Sequence, residues 1–83
     1  MKTIITFGSG QLTEFFVRPT TVMLVIEAEN ENKARQKAFN FPGIGGMFCT
    51  SYPYTNETVK EFYDYGMKEY TLSDLENLRI KGN

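Results

Sequence analysis

The sequence contains no histidine and a single cysteine, Cys49. Without imidazole there is no Ser-His-Asp or Cys-His catalysis, and no zinc site that needs a histidine ligand. A lone thiol makes neither an intramolecular disulfide nor a Cys-x-x-Cys metal site. It suits a reducing compartment, so a cytoplasmic location is expected. A reactive thiol needs a cationic neighbour, and none stands beside Cys49 in the sequence; Cys49 therefore reads as a small buried hydrophobe.

Long apolar runs are also missing. The longest is Val22–Ile26, against the roughly 20 residues that span a bilayer. At the N-terminus the apolar stretch breaks at Thr6 and Gly8, which excludes a signal-peptide core. No charge of one sign dominates: Lys+Arg is 9 and Asp+Glu is 10, for a net charge of −1. A nucleic-acid coat or a polybasic membrane binder is more positive, and a polyanionic DNA mimic far more negative.

What is present fits one small domain covering 1–83. Hydrophobic residues are 41%, aromatic residues 14% and charged residues 23% of the chain, which is enough for a globular fold. A chain of this size buries only about 60–65% of its unfolded surface, which leaves little room for a deep catalytic cavity.

Thr3–Phe7 is β-branched or aromatic throughout and predicts a strand, stopped by Gly8-Ser9-Gly10. Leu12–Arg18 reads as an edge strand or extended loop ended by Pro19. Val22–Ile26 is the best strand and belongs near the centre of the sheet. Asn30 is a good N-cap for an amphipathic helix of about 9–11 residues, with Ala34, Ala38 and Phe41 on its inner stripe and Pro42-Gly43 at its end. Met47–Tyr52 predicts another strand closed by Pro53. Asn56 is placed to cap a second helix carrying Val59, Phe62 and Tyr63, with Gly66 as its left-handed C′ residue. Glu69–Leu72 is extended. Ser73-Asp74-Leu75-Glu76 fits a capping box, and one or two helical turns follow before a frayed Lys81-Gly82-Asn83 tail.

The predicted fold is therefore α+β: a three- to four-stranded, mostly antiparallel sheet with two main helices on one face and a short C-terminal helix. If the strands near 21–28 and 46–52 are parallel neighbours, the helix between them makes a right-handed crossover.

The glycine motifs read as turns. Gly8-Ser9-Gly10-Gln11 lacks the lysine of a phosphate loop. Gly43-Ile44-Gly45-Gly46 matches the G-x-x-G spacing but joins a helix to a strand and carries no basic residue. Glu27 and Glu29 share a strand face and read as its hydrated end, not as an acid–base pair.

The aromatic set is denser than folding alone demands. In a strand, adjacent Phe15 and Phe16 point to opposite faces, so one of them is expected outside the core. Five tyrosines fall in the second half of the chain. They read either as a hydrated rim around a phenylalanine core or as a contact surface for a protein, with base stacking a third reading. The partner-binding candidates are Phe15, Phe16, Tyr52 and Tyr54. Arg18, Lys33, Arg35 and Lys37 are either a solvated face or a cationic patch for an anionic partner. Charge is roughly +1 up to Pro42 and −2 after it, too small a polarity to name a partner.

Taken together, Thr6-Phe7-Gly8-Ser9-Gly10-Gln11, Ile26-Glu27-Ala28-Glu29-Asn30 running into Lys33-Ala34-Arg35, Gly45-Gly46, Tyr52, Tyr65-Gly66 and Tyr70-Thr71-Leu72 resemble small phage and prophage α+β proteins. The resemblance implies a phage-like early gene acting in the host cytoplasm. Small non-enzymatic inhibitors of host defence or host machinery are common in that setting. It transfers no activity and no functional residue. The leading expectation is thus a non-enzymatic interaction protein that binds a host or phage protein, an anti-defence or anti-CRISPR inhibitor being one specific form. The alternative is a small nucleic-acid-binding module. An enzyme lacks an assembled constellation, no cofactor or metal is implied, and a weak homodimer through the Phe15–Phe16 edge is expected.

Overall fold

The structure, a computed structural model, describes residues 1–8, 12–44 and 50–82. The expected turn at Ser9-Gly10, the pair Gly45-Gly46, the first part of the strand at Met47–Cys49 and the burial of Cys49 lie outside the described residues.

Four strands form one sheet in the order β3-β1-β2-β4. They are β1 (Lys2–Thr6), β2 (Val22–Glu27), β3 (Thr50–Pro53) and β4 (Lys68–Tyr70). The helices are α1 (Glu31–Asn40), α2 (Asn56–Asp64) and α3 (Leu72–Gly82). β1 pairs antiparallel with both β2 and β3, while β2 pairs parallel with β4. The sheet is mixed and mostly antiparallel, and the fold is α+β as the pattern predicts. β2 is central. The strands on either side of α1 are not neighbours, because β1 lies between β2 and β3.

The register assigns side chains to faces. Ile5 lies opposite Leu24 and Ser51, and Thr3 opposite Ile26 and Pro53. These rows share a face, since successive residues of a strand alternate. On that face Ile5, Leu24 and Ile26 join Leu12, Phe15, Ala34, Ala38, Ile44 and Leu75 in one buried cluster. This face is covered by α1, through Ala34 and Ala38, and by α3, through Leu75; the second main helix expected there, α2, lies instead on the other face. Ile4 lies opposite Val25 and Tyr52 on the other face. Tyr52 there meets Phe62 of α2 edge-on, with ring centroids 5.1 Å apart and planes at 74°.

Local chemistry explains the helix ends. Asn30 accepts a hydrogen bond from the Lys33 amide at 2.9 Å and caps α1 as expected. The second helix begins one residue earlier than predicted: Thr55, not Asn56, is the N-cap, and its hydroxyl accepts from the Thr58 amide. Gly66, at φ +87°, holds the left-handed position after α2. The capping box of α3 is Thr71 and Asp74 rather than Ser73 and Glu76. The Thr71 amide donates to Asp74 Oδ2 at 2.8 Å, and the Asp74 amide donates to Thr71 Oγ1 at 3.1 Å. Starting two residues earlier, α3 runs 11 residues instead of one or two turns. Arg79 explains its length: the side chain donates to the Pro42 carbonyl at 2.7 Å, tying the last turns of α3 to the end of α1. No helix among the described residues is long and apolar enough to cross a membrane.

Candidate functional site

The segment after β1 departs most from its sequence pattern. Thr13–Phe15 forms a single 3-10 turn instead of an edge strand. It is bracketed by Leu12 at φ 59° and Phe16 at φ 55°, both left-handed. Residues three apart eclipse one another in a 3-10 turn, so Leu12 and Phe15 both enter the core, where they are 1% and 0% exposed. Phe15 is therefore a core residue and not a partner contact. Its ring stacks on Phe41 at 6.2 Å between centroids, and the Arg79 guanidinium lies over both rings. Phe16, the next residue, is turned outward and is 64% exposed. The sequence reading that one ring of the pair stands outside holds, although the separation comes from a turn rather than from strand alternation.

Tyr52 and Tyr54 stand elsewhere. Phe16 follows the end of β1 at Thr6 and precedes Val22, at one end of the sheet. Tyr54 lies at the opposite end, where the Lys2 ammonium sits 5.1 Å from its ring centroid. The Tyr54 hydroxyl donates to Glu69 Oε1 at 2.5 Å, so the side chain reaches from the β3 side of the sheet to β4. This hydrogen bond raises the phenol pKa above its ordinary 10.0, with desolvation and the negative charge of Glu69 acting in the same direction. Tyr52 is committed in part to Phe62. The four aromatic candidates thus do not form one surface. Among the described residues, Tyr63 and Tyr65 on and after α2 are also exposed, Tyr65 at 71%.

The basic candidates take local acceptors. Lys33 pairs with Glu29 one turn earlier at 2.9 Å. Arg35 donates to Ser51 Oγ at 3.2 Å, lies over the Phe39 ring, and is linked through Ser51 to Glu31. Lys37 donates to the Glu27 carbonyl at 2.8 Å. Arg18 precedes β2 and Glu27 ends it, so roughly 16–17 Å of strand separates Arg18 from the Lys37 anchor. The structure does not bring Arg18 into a patch with the other three. An exposed pair such as Lys33–Glu29 is worth about 0–1 kcal/mol.

The concavity nearest this chemistry is a cleft of about 330 Å³ lined by Lys2, Val25, Glu27, Tyr54, Glu69, Tyr70, Thr71 and Asp74. Apart from Tyr54, these residues were not singled out as a site from sequence. They come from β1, β2, the residue after β3, β4 and the start of α3, and neither motif nor spacing links Lys2 or Glu27 to Glu69. No group of three or more His, Cys, Asp or Glu side chains able to hold a metal ion occurs among the described residues.

Comparison with protein-family models, with characterised proteins and with solved structures finds no match to this chain.

Proposed function

We propose that this chain is a non-enzymatic interaction protein that binds and modulates another protein, with Phe16 as its anchor. One observation carries the reading. A bulky residue in the left-handed region costs of order 1–3 kcal/mol, and glycine or asparagine at this position would relieve much of that strain. The chain nevertheless keeps a phenylalanine there, with most of its ring in water. Aromatic side chains held out of the core on a constrained backbone are what binding hot spots are made of. The absence of histidine and of any catalytic arrangement in the sequence agrees with a binding role. The resemblance to small phage proteins favours a host or phage protein as the partner, and an anti-defence or anti-CRISPR inhibitor is a specific form of the same proposal. A second copy of the chain is the simplest partner.

The test compares wild type with Phe16→Asn and Phe16→Gly. Sedimentation measures self-association, and affinity capture from a bacterial host lysate measures binding to other proteins. Both variants are expected to keep or raise the melting temperature while losing the association. If neither variant changes self-association or the set of captured proteins, Phe16 is not an anchor.

A further inference from the structure

The cleft at the Lys2 end of the sheet is independent of Phe16 and has chemistry of its own. Its lining includes three carboxylates, Glu27, Glu69 and Asp74, against two ammonium groups, that of Lys2 and the N-terminal one paired with Glu27, together with the ring of Tyr54. The hydrogen bonds of these carboxylates among the described residues use one oxygen each: Glu27 Oε1 with the N-terminal ammonium, Glu69 Oε1 with Tyr54, and Asp74 Oδ2 with the Thr71 amide. A carboxylate accepts at both oxygens, so each keeps a second acceptor. The Tyr54 ring already has a cation on its face, the ammonium of Lys2 at 5.1 Å. That side chain comes from the exposed end of β1 and is held there by an interaction that is weak at exposed sites.

We propose that this cleft binds an organic cation, an alkylammonium or guanidinium head group, over the Tyr54 ring and among Glu27, Glu69 and Asp74, displacing Lys2 as its built-in occupant. The excess of carboxylates disfavours phosphate and carboxylate ligands. The volume lies at the low end for a small-molecule site and suits a head group on a short chain rather than a nucleotide. The Tyr54–Glu69 hydrogen bond fixes the ring across the sheet, so a cation meets a formed surface. The same head group is offered by a free amine such as agmatine or by an arginine side chain of another protein.

Amide chemical-shift titrations of the full chain at constant ionic strength, with agmatine in one arm and acetyl-Gly-Arg-Gly-amide in the other, test the proposal. Saturable shifts centred on Lys2, Tyr54, Glu69 and Thr71 are expected in at least one arm, and the tighter arm identifies the source. Lys2→Ala should bind roughly three- to tenfold tighter, and Glu27→Gln weaker by a similar factor, because one removes the competing cation and the other an attracting charge. Glu27 is exposed, so its variant tests charge without disturbing the core. Shifts that do not saturate in either arm, or that saturate equally in wild type, Lys2→Ala and Glu27→Gln, overturn it.

Discussion

The guanidinium of Arg79 lies 5.3 Å from the centroid of the Phe15 ring and closes the core over it. One side chain from the last helix thus fixes a residue from the first connection. The same guanidinium lies over Phe41, pairs with Glu76 and bonds the Pro42 carbonyl, so α1, α3 and the 3-10 turn meet at this point. Phe15 and Phe16 consequently play opposite parts.

Replacing Phe15 by alanine should cost about 3–5 kcal/mol, much of the stability of a domain this small. Urea denaturation of Phe15→Ala should show a large loss. Phe16→Asn should stay within about 1 kcal/mol of wild type or exceed it. Equal losses for the two would contradict the assignment of one ring to the core and the other to solvent.

Two glycines with positive φ should respond differently to alanine. At Gly43, φ is +96°, and a Cβ would run into Glu14 Oε2 and stand 2.9 Å from Phe15 Cζ. At Gly66, φ is +87°, and a Cβ meets nothing within 4 Å. Gly66→Ala should lose only the left-handed strain, about 1–2 kcal/mol. Gly43→Ala should lose more, because the contact falls on the Phe15 ring. Thermal melts ordered the other way would refute this.

Thr3 is 2% exposed, and its hydroxyl has no hydrogen-bond partner among the described residues. It faces the core between Ile26 and Pro53. A buried unsatisfied hydroxyl costs about 1–3 kcal/mol, and valine has nearly the same shape. Thr3→Val should therefore raise the denaturation midpoint, and a lower midpoint would show that the hydroxyl is satisfied.

The Tyr54–Glu69 hydrogen bond sets an alkaline pH dependence. The folded-state phenol pKa lies above the ordinary 10.0, so the native state holds this proton more tightly than the unfolded chain does. The contribution to stability is full below pH 10.0 and is lost as pH rises through the raised value. In Glu69→Gln the Tyr54 phenol should titrate closer to 10.0, followed by ultraviolet absorbance against a Tyr54→Phe control. An unchanged titration would show that Glu69 is not the cause.

Much of the framework was legible along the chain. Val22–Ile26 is apolar at every position and could satisfy itself only inside a sheet, and the structure places β2 there. Asn30, Ala34 and Ala38 announce a capped helix with a narrow inner stripe, because capping and close helix–sheet approach are decided by residues a few positions apart. The capping of α3 was misread because Ser73-Asp74-Leu75-Glu76 and Thr71-Leu72-Ser73-Asp74 both offer a hydroxyl three residues before a carboxylate. Local spacing alone does not choose between them. The choice falls to the frame that buries Leu75 in the core and brings Arg79 over Phe15 and Phe41.

By itself the sequence determined the fold class, the central strand, the first helix and its cap, since each depends on short-range periodicity and backbone chemistry. It also determined that one of two adjacent phenylalanines is left outside. Which one, and why, only the tertiary structure decided: two left-handed residues turn Leu12 and Phe15 into the core together, against the period-two expectation. The cleft is likewise a product of topology. Lys2, Glu27, Tyr54 and Glu69 meet because the order β3-β1-β2-β4 sets the start of β1 beside the end of β2, between the residue that follows β3 and strand β4, and no local pattern in the sequence encodes a contact between residues so far apart.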